Sequence, residues 1–369
     1  MTSPALVRIH RWVALLLGAL VVLIGLTGAA LVFREELTAT FTPAVKVSTA
    51  PVPAGAYQRI LAVAQGAEPG VGALDIVMPS RADRAAEVII HRPLADRYLF
   101  VDPHDGAVVA DGEREFLPFP AFYQLHRRLL LGETGESAVG ILGAALAFLG
   151  ASGLILWWPR KLEYAFRVRW DGNRLAVSYD LHRCMGAAFA LILIVNAVIG
   201  FSMSFDEASA ALVNRVSGSN GPGPAPRASS NTLGSGRPLD EIVAAAERAF
   251  PDGTVRRVSI RAGDAPVLVR KRLATENETN GMNRIYVDAA SATVLQARLQ
   301  RDAPHGNAMF EWLYPLHTGT LIGTPYRLIL VIAGCVPLLS LVTGLIVWRS
   351  RMKRKKEDAR TATTSRQLA

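Results

Sequence analysis

Cysteine is nearly missing from this 369-residue chain, and the two present, Cys184 and Cys335, both fall in apolar stretches. That scarcity excludes a disulfide framework, a CxxC-based zinc site and the CxxCH attachment of a covalent haem. Charge is also sparse, at 19% of residues against 50% hydrophobic, with a mean hydropathy of +0.25. Such a chain is too apolar for a cytosolic enzyme and too rich in order-promoting residues for disorder. Its four longest apolar runs, Trp12 to Phe33, Ala138 to Trp158, Cys184 to Met203 and Leu328 to Trp348, contain no Asp, Glu, Lys or Arg. They contain the polar residues Thr27, Ser152, Asn196, Ser340 and Thr343. Intramembrane charge usually marks an ion-coupled pathway, so a transporter ranks last among the functions considered.

What is present is four runs near the length that crosses a bilayer core of about 30 Å. The first follows Arg8-Ile9-His10-Arg11 and begins like a signal peptide, but it is longer than a typical h-region and lacks a small-residue cleavage site, so it reads as a retained span. The net charge of +9 concentrates beside the spans, which points to topology rather than nucleic acid. Arg160, Lys161, Arg167, Arg169 and Arg174 crowd the connection 159–180, and Arg349, Arg351, Lys353, Arg354, Lys355 and Lys356 crowd the tail 349–369. Both segments are therefore expected in the cytoplasm, with 34–137 and 204–327 outside in a bacterial periplasm.

An internal repeat is legible. A shift of 191 positions carries Phe119, Tyr123, His126, Gly132, Gly143, Gly153 and Trp157 onto Phe310, Tyr314, His317, Gly323, Gly334, Gly344 and Trp348 without a gap. A shift of 172 carries His10-Arg11 onto His182-Arg183 and Gly28 onto Gly200. Each external segment reads as a small α+β module. The patterning predicts a helix over 55–67 with strands over 72–78, 86–92 and 97–102, then a helix over 238–250 with strands over 254–261, 266–273 and 284–288. Between the modules, Ser217 to Arg237 is rich in Gly, Ser and Pro and is expected to be a flexible linker. Both halves run in the same sense, which sets the pseudo-two-fold axis along the membrane normal.

Four of the seven histidines flank spans, and they form two repeat-related pairs, His10 with His182 and His126 with His317. Facing helices of a bundle are a standard place to build a cofactor site, and two imidazoles across an axis suit one haem iron. The bland alternative is an interfacial histidine that keeps its polar edge in the headgroups. Arg11, Arg183 and Arg127, with Arg8, Arg128 and Arg327, are candidates to pair with haem propionates, although topology also explains the basic residues of the cytoplasmic ends. Phe116, Phe119, Phe122, Tyr123, Phe310, Trp312 and Tyr314 read as an aromatic belt, with an electron relay or stacking site as the rarer alternative. His91, His104 and His305 are external singletons expected to be exposed. The strip Arg270-Lys271-Arg272 invites an anion, but on a strand its members alternate faces.

Taken together, the YVDxxxxxVL-like ends of the external segments, as in YLFVDPHDGAVV and RIYVDAASATVL, and the LH steps before the second and fourth spans resemble the PepSY-associated transmembrane family over nearly the whole chain. In the second of these ends, Ala290-Ser291-Ala292 departs from the usual acidic or glycine character. The resemblance implies an α-helical membrane protein with four transmembrane helices in a parallel tandem repeat and two periplasmic α+β PepSY-like modules. It further implies an inner-membrane ferric-siderophore reductase carrying two b-type haems. His10 and His182 would be the cytoplasmic-side ligands, and His126 and His317 the periplasmic-side ligands. Electrons would come from a separate cytoplasmic donor or from quinol. The competing reading is a non-enzymatic, membrane-anchored module that binds a periplasmic peptide or protein.

Overall fold

The computed structural model describes residues 3–41, 45–113, 117–158, 162–229, 236–276 and 280–367. In chain order its main elements are α1 (Pro4–Leu31), α2 (Arg34–Phe41), α3 (Ala56–Ala67), β1 (Ala73–Val77), β2 (Ala86–Ile90), β3 (Arg97–Val101), β4 (Val108–Asp111), α4 (Pro118–Arg128), α5 (Gly132–Trp157), α6 (Arg174–Ser204) and α7 (Asp206–Val216). There follow α8 (Leu239–Ala249), β5 (Thr254–Arg261), β6 (Val267–Arg272), β7 (Asn283–Val287), β8 (Val294–Arg298), α9 (His305–Ala308), α10 (Phe310–Thr318) and α11 (Thr324–Gln367). The chain divides into two compact units.

The first unit, Met1–Val32, Ala138–Ser202 and Pro325–Ala369, is helical. The helices α1, α5 and α6 and the Thr324–Arg354 stretch of α11 are each long and apolar enough to cross a membrane. They extend beyond the predicted apolar runs, because a helix does not stop where its hydrophobic stretch does unless a breaker intervenes: α1 takes in Arg8 to Arg11, and α11 continues to Gln367. Small residues set the packing, as expected where lipid supplies no hydrophobic drive between helices. A Cβ on Gly25 of α1 would lie 2.6 Å from the carbonyl oxygen of Gly334 on α11, and one on Gly143 of α5 would lie 3.0 Å from that of Ala197 on α6. The shifts of 191 and 172 relate Gly143 to Gly334 and Gly25 to Ala197, so the two contacts use corresponding positions.

The second unit, Phe33–Ser137 and Met203–Thr324, is built on one antiparallel sheet in the order β4-β3-β2-β1-β5-β6-β7-β8. The expected helices and strands form within a residue or two of their predicted limits. The two α+β modules join in this one sheet: β1 pairs with β5, placing Leu74 opposite Ile260 and Ile76 opposite Val258, all buried. Pairing removes a hydrophobic edge that either half alone would expose. One face of the sheet packs on α3 and α8 around Ile60, Leu61, Ala64, Ile242 and Ala246. The two helices also cap one another, since Gln58 N–H donates to Asp240 and Leu239 N–H donates to the Gln58 side chain. On the other face, Ile89, Tyr98 and Phe100 of the first half are covered by Val45, Leu117 and Tyr123.

The linker is more anchored than its composition suggests. Residues 220–229 form no helix or strand, yet Ala228 N–H donates to the Asp264 carbonyl, Ser229 donates twice to Asp288, and the Pro224 carbonyl accepts from Arg298. Residues 230–235 of the linker, Phe116, Arg160 and Lys161 lie outside the described residues.

Candidate histidine-pair sites

Both histidine pairs come together. The ring centres of His10 and His182 are 6.5 Å apart at an interplanar angle of 83°, and those of His126 and His317 are 6.1 Å apart at 47°. Two imidazoles bound on opposite sides of one metal ion, each by a nitrogen about 2.0 Å from the metal and about 1.1 Å from its ring centre, have centres roughly 6.2 Å apart. Both separations lie close to that spacing. Among the described residues no group of three His, Cys, Asp or Glu could hold a bare ion. Two imidazoles alone therefore suit an ion that arrives with its equatorial ligands already supplied, as haem iron does.

The tautomers of His10 and His182 follow from their neighbours. The Ser152 hydroxyl spends its single proton on carbonyl oxygens of its own helix, 2.6 Å away at Phe148, so it can only accept from His10 Nδ1 at 2.7 Å. His182 Nδ1 lies 2.9 Å from the Ser340 carbonyl oxygen, a pure acceptor, and 3.3 Å from the Thr343 hydroxyl, which donates to Leu339. Each Nδ1 must carry the proton, and each Nε2 keeps its lone pair. This is the outer-sphere arrangement of metal-bound histidines. Gly153 and Gly344 lie against the rings: an added Cβ would come within 3.7 Å of His10 Cε1 and 3.3 Å of His182 Cε1.

His126 stands in the last turn of α4 and His317 in the last turn of α10. Helix α4 starts at Pro118, where a missing N–H costs nothing, and it is tied to the start of α5 by Arg127 and Arg128, which both donate to Glu136. Helix α10 stops at Gly319, whose φ of 80° favours glycine. Arg127 also donates to the Tyr123 hydroxyl at 3.1 Å, so a propionate would have to compete for it. Arg11 and Arg183 are less committed. The Arg11 guanidinium sits 5.9 Å from the Trp12 ring centre and Arg183 donates to the Arg167 carbonyl, while the Nε of each is buried without a hydrogen bond. For Tyr123, burial opposes ionisation, but Arg127, Arg257 and Arg34 outweigh it and hold the phenol below its usual pKa.

Sequence reasoning missed Ser152, Ser340 and Thr343, which it counted only as uncharged residues of the spans. The signal was available, since the 191-residue shift carries Ser152 onto Thr343. His91 is corrected from an exposed singleton: it bridges Asp75 at 3.0 Å and Asp96 at 3.2 Å. His104 is tied to Asp102 and to the Ala50 carbonyl. Phe119 is buried, with Phe41 and Phe122 against its ring, whereas Trp312 is exposed. Cys184 is buried, as a small apolar side chain would be.

A family model described as the PepSY-associated TM region matches residues 7–351. A search of curated proteins finds no match.

Proposed function

The chain belongs to the PepSY-associated TM family, and on that premise we propose that it is an inner-membrane di-haem b oxidoreductase that moves electrons outward to a periplasmic ferric siderophore, releasing Fe(II) for uptake. The observation that carries this reading is the spacing of the two histidine pairs, each matching a metal ion bound between two imidazoles. The corresponding glycine contacts of α1 with α11 and of α5 with α6 support a parallel tandem repeat. The two pairs stand in different compact units of the chain and serve two separate groups. The basic residues of 159–180 and of the tail support cytoplasmic termini and a periplasmic sheet.

Haem, when bound, supplies one-electron transfer. The chain's own residues would do the rest: His10, His182, His126 and His317 would hold the group through ring nitrogens, Ser152, Ser340 and Thr343 fix the ring orientation of the first pair, and Arg11 and Arg183 hold donors toward which carboxylates could turn. No acid–base residue is required. Fe(II) is held less tightly than Fe(III) by hard oxygen chelators, so reduction itself loosens the cargo. The electron donor is a cytoplasmic partner or quinol.

The test is an absorbance spectrum of the purified protein before and after dithionite. His317→Ala is expected to remove roughly one haem of two and abolish reduction of an external chelate, and His182→Ala to remove the other. Normal haem content in both variants would sink the ligand assignment. The second reading, a module that binds a periplasmic peptide, is favoured by the outer edges of β4 and β8, which end the sheet and offer main-chain groups to an added strand. No dithionite-sensitive band in the wild type would leave that reading standing.

A further inference from the structure

The corner that follows α4 does not by itself set the direction of that helix. Leu129 and Leu130, which lead toward α5, have φ of 49° and 60°, a left-handed conformation that disfavours any residue with a Cβ. Two such residues in succession persist only where the surroundings over-determine them. Asp96, in the connection between β2 and β3, supplies the hold, and its side chain is only 6% exposed. Its Oδ2 accepts from Gln124 Nε2 at 2.8 Å and lies 3.5 Å from Arg128 Nη1. Gln124 Nε2 also donates to the Tyr98 hydroxyl at 3.0 Å. Gln124 and Arg128 are four residues apart and share one face of α4. At about 100° per residue, His126, midway between them, points about 180° away from that face. The side held by Asp96 is thus opposite the side from which His126 meets His317, and a turn of α4 that breaks the hold swings His126 away from its partner.

Asp96 is itself held by His91, whose Nδ1 lies 3.2 Å from Asp96 Oδ1 while its Nε2 lies 3.0 Å from Asp75 Oδ2. Ionised carboxylates only accept, so both bonds exist together only when both ring nitrogens carry protons. Burial opposes that charge, but the two carboxylates outweigh it and raise the pKa. Behind Asp75 stand Arg257 and Arg261 of β5, at 4.0 and 3.2 Å, and behind Asp96 stands Arg128 of α4. Loss of the imidazolium proton takes a donor from one of the two carboxylates. Asp75 keeps two arginines, whereas Asp96 keeps Gln124 and an Arg128 that it shares with Glu136.

We propose that Asp96, oriented by His91, is the positioning residue of the second histidine pair: it fixes the rotation of α4 so that His126 meets His317, and its hold loosens when His91 gives up its proton. The inference rests on the haem reading of that pair. Both residues act through α4 rather than as ligands, so their effect is confined to one of the two haems and follows the titration of His91.

The experiment uses the full-length protein in nanodiscs, with His182→Ala as the parent so that the haem of His126 and His317 is read alone. Haem loss to excess apomyoglobin is followed between pH 6 and 9, with the low-spin ferric EPR signal, which reports the mutual angle of the two imidazoles, recorded on the same samples. The parent is expected to lose haem slowly at pH 6 and faster as pH climbs through the titration of His91. Asp96→Asn should speed loss at pH 6 by about tenfold, the lower end of what an outer partner of a metal-bound histidine contributes, and should shift the EPR signal. His91→Gln, with donors at one end of its side chain only, should behave at every pH as the parent does at high pH. With His182 restored, neither substitution should alter haem loss from the His10 and His182 site. Rates indifferent to both substitutions, a pH dependence that survives His91→Gln, or equal acceleration at both haems overturns the inference. Hydrogen exchange of the α4 amides, corrected for intrinsic rates, reads the hold without haem. Protein that binds no haem, yet whose α4 protection falls in Asp96→Asn and with rising pH, sinks the haem reading and leaves the hold standing. Haem whose loss and spectrum ignore both substitutions sinks the positioning role alone.

Discussion

At the scale of single residues, the Ser152 hydroxyl and the Ser340 carbonyl, with the Thr343 hydroxyl beside it, govern the first histidine pair without being ligands, because they set which imidazole nitrogen is protonated. Removing such a partner from a metal-bound histidine typically weakens the site about 10- to 100-fold. Ser152→Ala with Thr343→Val is therefore expected to lower haem affinity at His10 and His182 while the second haem stays, as read by titrating haem into the apoprotein. Loss of both haems in equal measure would show general damage instead. His91 makes a second case. Burial disfavours its charge, but hydrogen bonds to Asp75 and Asp96 prevail, and its pKa lies above the ordinary 6.5. A raised histidine pKa means that the imidazolium stabilises the fold fully below about pH 6.5 and that this contribution vanishes as pH climbs through the raised value. Melting curves of wild type and His91→Gln between pH 6 and 9 should converge as pH increases. A gap that stays constant with pH would show that His91 acts by packing alone. Asp75 and Asp96, held below their usual range against the cost of burial, act in the opposite sense and lose their contribution only in acid.

At the scale of elements, the seam between β1 and β5 makes one sheet of two halves. Ile76 and Val258 face each other across it, both fully buried. Ile76→Ala should cost about 2–5 kcal/mol. A double-mutant cycle with Val258→Ala should give a coupling of about 0.5–3 kcal/mol, as neighbours in contact do. Zero coupling in thermal unfolding of the full chain would mean that the seam does not hold in solution. The seam also marks the limit of what the sequence tells. Spans, helices α3 and α8 and six of the eight strands are legible because long apolar runs and period-two alternation are local signals. The strands β4 and β8 are not, being short and, in β8, exposed and polar through Gln296 and Arg298. Nor is the register that sets Arg257, Arg270, Arg284 and Arg298 opposite one another, which exists only between strands. The histidine pairs are legible because the repeat brings them to matching positions, whereas their hydroxyl partners escape notice as ordinary Ser and Thr of a span.

At the scale of the whole molecule, the two halves of the chain hold each other in several places. In the helical unit, α1 packs on α11 and α5 on α6, and in the sheet unit β1 pairs with β5, so each contact joins a first-half element to a second-half element. Both histidine pairs do the same. Continuity of the chain between 217 and 237 should therefore be dispensable once folding is complete. A protease site inserted at Gly221 and cut in detergent should leave two fragments that elute together with haem content unchanged. Fragments that separate at low salt and low detergent would contradict the packing.

The antiparallel seam has one more consequence. Two copies of a single strand related by a two-fold axis pair in this same sense, and the axis that generates such pairing makes an isologous interface. A chain of half this length could meet its own copy along that edge and carry its histidines at the interface, existing as a monomer–dimer equilibrium that dilution would dissolve. Tethering the halves replaces that equilibrium with an effective concentration on the order of millimolar. It also frees each half from having to match itself. The sheet face that one half fills with Ile89, Tyr98 and Phe100 is the face on which the other carries Arg270, Arg284 and Arg298.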